Sequence, residues 1–334
     1  MKDSVFKFDI EEFKIGKLTK KDIDFPSFYG LQKVKAPIFV YRASEEVSPC
    51  LVITACLHGD EINGLSGIQD LLHSELKITK GTLIILPVVN IYGFLNKLRY
   101  LPDRKDLNRC FPGSSKGSFG SRFAQFIFKT ITKYGDVFID LHSGGPGRFN
   151  IPQIRCDLHN QNILEMIKNI SIPLVVNSSL RDGSLREAIN DINKPCIVFE
   201  GGEGLRIDTT INKYIVNLIE STMKYLGMIE SDFEYNLDKI IIKKTKWLRA
   251  KEGGLLYNSA QRGEVVKKGE EIGEIKSISG DLITKINMEN DGVLLGMAKT
   301  SMIMAGDALY NVGYIDDDFP EEEDEMLDYF DLEM

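Results

Sequence analysis

Short, continuous apolar runs rich in β-branched residues punctuate the first two thirds of the chain. They are Leu51–Ala55, 82–89, Val137–Leu141, Pro173–Val176 and Cys196–Glu200, with a further strand-like piece at Ala36–Arg42. Such runs suit strands buried on both faces, as in a sheet covered by helices. Segments of helical period lie between them. Ile62, Leu65, Ile68, Leu71 and Leu72 share one helical face, and Phe123, Phe126, Ile127 and Ile131 share another. Ser184–Ile189 opens a third helix, and Ile211–Leu226 is longer. The alternation predicts an α/β fold, a mixed and mostly parallel sheet flanked by helices, through about residue 228.

After Glu230 the pattern changes. Residues 240–315 carry ten glycines and no long helical period, and short alternating stretches such as Gly263–Ile275 fall between the turns. This predicts a smaller C-terminal all-β domain. The expected organisation is an α/β domain over 1–230, a β domain over 231–315 and a disordered acidic tail over 316–334.

Composition changes this picture only a little. The 334 residues are 43% hydrophobic and 27% charged. A chain this long buries a core without disulfides or a structural metal. Of the net charge of −8, the tail alone holds eleven acids and no base, which leaves the other residues at +3. A nucleic-acid partner would need a strong basic excess, so none is expected. The five cysteines form no CxxC pair and read as buried free thiols in a reducing compartment. With no signal-like N-terminus and no run of 18 apolar residues, the expected location is the cytoplasm, away from membranes.

The candidate chemistry gathers at strand ends. Four histidines occur, and one stands in His58-Gly-Asp-Glu61, directly after a buried strand, with Glu61 expected to open the next helix. His142 closes another strand in Asp140-Leu-His142, and Glu200 closes a third before Gly201-Gly202. In α/β sheets ligands collect beyond the carboxyl ends of the strands. Two imidazoles and a carboxylate form the three-ligand set of a catalytic zinc. Glu200 would then be the carboxylate that moves protons, and Asp140 would orient a ligand imidazole. His73 and His159 have no partner motif and read as core histidines. The stretch Arg99–Gly113 holds Arg99, Arg104, Asn108 and Arg109. A guanidinium beside an amide suits a carboxylate, and another arginine could hold an oxyanion.

The ordered set His58-Gly-Asp-Glu61, Asp106-Leu-Asn-Arg109 followed by Phe111-Pro-Gly113, Asp140-Leu-His142 and Glu200-Gly-Gly resembles the succinylglutamate desuccinylase/aspartoacylase family, within the zinc carboxypeptidase-like superfamily. The resemblance implies that His58, Glu61 and His142 hold one zinc ion per subunit and that Glu200 is the catalytic carboxylate. It implies further that Asn108 and Arg109 bind the substrate carboxylate and that Arg99 polarises the scissile carbonyl, with Arg104 as the competing arginine. Arg186 becomes a candidate second clamp. The C-terminal part resembles the barrel-sandwich hybrid of bacterial members. The hairpin candidate Lys276–Asp281 lacks the signature of a carrier lysine, so no prosthetic group is expected there. The implied activity is zinc-dependent removal of an N-acyl group, succinyl, acetyl or similar, from an amino acid. The alternative is a zinc carboxypeptidase acting on short peptides. The implied partner is a small N-acylated amino acid, and a homo-oligomer is possible.

Overall fold

A computed structural model describes residues 8–25, 34–74, 76–231 and 234–314. The acidic tail predicted over 316–334 lies outside the described residues.

Four parallel strands make the centre of the large sheet. They are β3 (Cys50–Ala55), β4 (Thr82–Leu86), β5 (Val137–His142) and β8 (Cys196–Glu203), in the order β4-β3-β5-β8. Every residue of β3, β4 and β5 is buried, as their unbroken apolar runs predict. Antiparallel strands β1 (Leu18–Asp24) and β2 (Lys35–Arg42) extend one edge. On the other side β6 (Arg148–Cys156) pairs antiparallel with β8, and β7 (Leu174–Asn177) and β9 (Ile240–Ile242) follow in parallel.

Helices cover both faces. They are α1 (Asn63–His73), α2 (Ile91–Asn96), α3 (Phe119–Thr132), α4 (Gln161–Asn169), α5 (Leu185–Asn190) and α6 (Thr209–Tyr225). Phe123, Ala124, Ile127 and Ile131 of α3 bury one face of the sheet, while Ile68 and Leu71 of α1 and Ile211, Ile215 and Ile219 of α6 bury the other. Ser184 caps α5 by accepting from Glu187 N at 3.1 Å, and Glu187 Oε2 accepts from Gly183 N at 2.7 Å. This reciprocal cap satisfies two otherwise unpaired donors and sets where α5 starts.

From Lys244 onward the chain is all β. Strands β10 (Lys244–Arg249), β11 (Gly254–Asn258), β12 (Val265–Val266), β13 (Glu271–Lys276), β14 (Leu282–Asn287), β15 (Gly292–Ala298), β16 (Met302–Ile303) and β17 (Ala308–Tyr314) divide between two sheets. A four-stranded sheet, β14-β13-β11-β16, faces β15, β17 and β10 across a core containing Leu256, Ile272, Ile275, Leu294 and Leu309. The second of these layers continues the large sheet, because β15 pairs antiparallel with β6 through Ala298↔Arg148 and Gly296↔Asn150. That join places β10 and β17 at the rim of the strand-end crevice.

Candidate active site

The chain leaves β3 through Cys56, whose φ of +50° is left-handed. His58 follows, and the loop then packs tightly on α2: a Cβ at Gly59 would lie 1.9 Å from the Gly93 carbonyl carbon. Only glycine fits there. Glu61 lies two residues before α1 rather than opening it, because the helix begins at Asn63. Asn63 spends its side chain on Glu203 O (2.8 Å) and on Asp208 N (3.0 Å), which ties the loop to the end of β8.

His58, Glu61 and His142 converge, all buried, with ligand atoms within 4.8 Å of one another, so the group could hold a metal ion. His58 Nδ1 lies 2.7 Å from Glu61 Oε1, and His142 Nδ1 lies 2.7 Å from Glu61 Oε2. The far nitrogens are held as well: His58 Nε2 is 3.2 Å from Asp106 Oδ1, and His142 Nε2 is 2.8 Å from Asp140 Oδ2.

The donor set fits a cation. With each Nε2–H given to a carboxylate, each neutral imidazole turns a lone pair toward Glu61. Lone pair would then face carboxylate at 2.7 Å unless positive charge lies between them. A proton on His58 Nδ1 does not resolve the arrangement, because Arg99 Nη1, which can only donate, is 3.1 Å from the same nitrogen. Carboxylates that orient ligand imidazoles through the second nitrogen are a general feature of metal sites.

The electrostatics agree. Burial works against the charged forms. Even so, Glu61 and Asp106 hold the His58 imidazole above its ordinary pKa, and Asp140 and Glu61 hold His142 well above it. Burial also opposes ionisation of Glu61 and Asp106, but the neighbouring imidazoles outweigh it and keep both carboxyls far below the usual range. The pocket demands positive charge, from protons or from a metal.

Glu200 stands beside His142, its register partner across β5 and β8. Burial raises its pKa, against the pull of His142, of Arg155 and of the 3.0 Å hydrogen bond that Asn150 Nδ2 donates to its Oε2. Glu203, a second acid three residues on in the same strand, is held elsewhere: its Oε1 accepts from Gly147 N and is 3.4 Å from Arg206 Nε.

Arg99 follows α2, a helix too short for its period to be read in the sequence. Its Nη1 is 3.4 Å from Glu61 Oε1, and its Nη2 donates to Asp106 Oδ2 at 2.7 Å. Arg104 lines the same cleft but is exposed. Asn108 Oδ1 accepts from Leu185 N at 2.9 Å, which fastens the Asn108-Arg109 loop to the start of α5. Arg109 and Arg186 line the same cavity of about 820 Å³ as the metal-competent trio and Glu200. All eight site residues drawn from the sequence therefore border one cleft.

Other lining residues escaped the sequence reading. Asp106 was visible only as part of a motif and had no assigned role. Asn150 and Arg155 come from β6 (Arg148–Cys156), a segment to which the sequence pattern assigns no element. Trp247 and Arg249 come from β10 and bring the C-terminal layer to the rim. Eight arginines and two lysines line the cavity against five carboxylates, a cationic surface in an acidic protein. His73 and His159 take no part, and both are exposed rather than set in the core. Cys50, Cys56, Cys156 and Cys196 are buried free thiols, and Cys110 is half-buried. Among the described residues no helix is long and apolar enough to cross a membrane.

Known proteins share this architecture. The family model for the succinylglutamate desuccinylase/aspartoacylase catalytic domain matches residues 48–226. An N-alpha-acetyl-L-2,4-diaminobutyric acid deacetylase from Halomonas elongata is 25% identical over 292 residues, covering 83% of this chain and 84% of its own. The product-bound ectoine utilization protein EutE (DoeB) from Ruegeria pomeroyi superposes with a TM-score of 0.79 at 20% identity, over 90% of this chain and 97% of its own. A succinylglutamate desuccinylase/aspartoacylase from Rhodobacter sphaeroides gives 0.78 at 23% identity, over 92% and 98%. The two solved structures establish a shared fold.

Proposed function

The chain belongs to the succinylglutamate desuccinylase/aspartoacylase family, and on that premise we propose that it is a zinc-dependent amidohydrolase that removes an N-acyl group from an amino acid. The observation that carries this reading is the pair of 2.7 Å approaches of His58 Nδ1 and His142 Nδ1 to the two oxygens of one buried carboxylate, Glu61. His58, Glu61 and His142 would hold the ion. When bound, it would supply a Lewis acid for the acyl carbonyl and lower the pKa of a water.

The chain's own residues do the rest. Glu200, with its pKa raised by burial, takes a proton from the attacking water and passes it to the nitrogen of the leaving amine. Arg99 donates to the carbonyl oxygen as negative charge grows there, and its ion pair with Asp106 keeps it in place. Asn108 and Arg109 hold a carboxylate of the substrate, with Arg186 behind them as a second cation. The cationic lining draws an anionic substrate into the cleft.

The test is a hydrolysis screen of N-acetyl, N-succinyl and N-formyl amino acids by the zinc-loaded protein, with release of primary amine as the readout. Amine and free acyl acid in equal amounts are expected. Release of C-terminal residues from short peptides, with no cleavage of acylated amino acids, would replace this reading with a carboxypeptidase.

A further inference from the structure

Basic side chains crowd the mouth of the cleft. Lys97, Arg104 and Lys105 are exposed there, and Arg148, Arg181 and Arg249 are half-buried. The carboxylates of the same cavity are committed deeper in it. Asp60 is buried, Glu61, Asp106 and Asp140 face the imidazoles, and Glu200 accepts from Asn150. Arg148 of β6 and Arg249 of β10 flank Trp247: the Arg148 guanidinium lies 5.5 Å from the indole centroid, and Arg249 is two residues further along β10. Burial lowers the pKa of Arg148, and Arg249 and Arg99 add to it, against the pull of Asp307. A rim of mutually repelling cations is stabilised by an anion that joins them.

The chain carries such an anion. Strand β17 begins at Ala308, the register partner of Arg249, and ends at Tyr314. Six residue steps, about 20 Å, separate the rim from that end. The chain beyond Tyr314 holds two groups of consecutive acids, three aspartates at 316–318 and the run Glu321-Glu322-Glu323-Asp324-Glu325. Extended backbone covers roughly 3.3–3.6 Å per residue, so the aspartates reach at most about 14 Å from Tyr314 and fall short of Arg249. Glu321 reaches about 24 Å, which makes 321–325 the first acids that a returning chain can bring to the rim.

We propose that the acidic run 321–325 docks on Arg148 and Arg249 across the mouth of its own cleft and competes there with an anionic substrate. The docking follows from charge and reach alone, whereas the competition rests on the reading of the cleft as an N-acyl amino acid site. Attachment to β17 gives the run an effective concentration on the order of millimolar, so weak ionic contacts suffice, and salt weakens them.

Trp247 is the chain's one tryptophan, so its emission reports the rim without turnover. Two full-chain variants remove equal charge: Glu322→Gln with Glu323→Gln and Asp324→Asn, and Asp316→Asn with Asp317→Asn and Asp318→Asn. At low ionic strength, acrylamide should quench the zinc-loaded first variant about twofold more strongly than the wild type, or more, and the second no differently from the wild type. Arg249→Gln should match the first variant, and salt well above physiological strength should bring the wild type to the same level. Equal quenching throughout, or equal gains in both triple variants, overturns the docking. A difference that varies with protein concentration gives the rim to the acidic run of a second copy and overturns the assignment within one chain. Kinetics decide the competition. On N-acetyl, N-succinyl or N-formyl amino acids that turn over, the first variant should lower KM about threefold or more with kcat unchanged, and an unaltered KM overturns the competition. If no amide is cleaved, the amidohydrolase reading falls and takes the competition with it, while quenching still decides the docking.

Discussion

Asp140 holds His142 from behind: its Oδ2 lies 2.8 Å from Nε2 of the imidazole, while its Oδ1 accepts from Thr54 Oγ1 at 2.6 Å. Thr54 and Asp140 are register partners in β3 and β5, so the sheet itself aims the imidazole. Asp140→Asn keeps the shape but gives up the anionic acceptor. The expected result is zinc affinity lower by about 10- to 100-fold, measured by competition with a chelator. Unchanged affinity would mean that Asp140 does not tune the ligand.

Glu200 and His142 separate proton transfer from metal holding. Glu200→Gln should retain stoichiometric zinc and lose about 10²- to 10⁴-fold in kcat. His142→Ala should lose the zinc. Metal analysis alongside turnover distinguishes them, and a fully active Glu200→Gln enzyme would remove Glu200 from the proton path.

Gly59 tests the backbone that presents His58. A methyl group there would land 1.9 Å from the Gly93 carbonyl carbon, and backbone cannot yield as a flexible side chain can. Gly59→Ala should displace the loop, so that zinc binding is lost together with several degrees of thermal midpoint. A variant with wild-type melting and wild-type zinc content would show that the loop has slack.

The legible part of this fold was the part that must be apolar. The runs around Val52, Ile84, Ile139, Val175 and Ile197 became strands because both of their faces are covered. Strand β6 was not legible. Its sequence mixes Arg148, Asn150, Pro152, Gln153 and Arg155 with apolar residues, and it is a strand because β8, β7 and β15 pair with it. Such pairing lies in the partners and not in the segment. Helix α2 spans six residues, fewer than two turns, so no period could declare it. The same division holds in the site. His58, His142 and Glu200 were visible because each polar residue ends an apolar run. Arg155 was hidden because only the pairing of β6 with β8 reveals that it shares a face with them. The start of α1 was read two residues early, because Asn63, and not Glu61, is drawn onto the helix by its bonds to the β8 end.

The buried thiols predict a decline of stability in alkali. Burial pushes Cys156 up to about 12 and drives Cys50, Cys56 and Cys196 higher still. An unfolded thiol titrates near 8.5. The stabilising preference for protonated thiols is therefore fully present below about pH 8.5, where both states hold their protons. Above it the unfolded chain sheds protons that the fold retains, and each such thiol removes about 1.4 kcal/mol of stability per pH unit, up to its folded value. Urea unfolding from pH 8 to 10.5 should show this fall, and Cys196→Ala should make it shallower. A flat profile would contradict the burial of these groups as charged-form penalties.

The account turns on whether two distant imidazoles and one acid share a single divalent ion. Anomalous diffraction at the zinc edge from crystals equilibrated with zinc tests this most directly. One strong peak per chain is predicted, enclosed by the side chains of His58, Glu61 and His142. A peak at other residues, or none at that trio under saturating zinc, would contradict it.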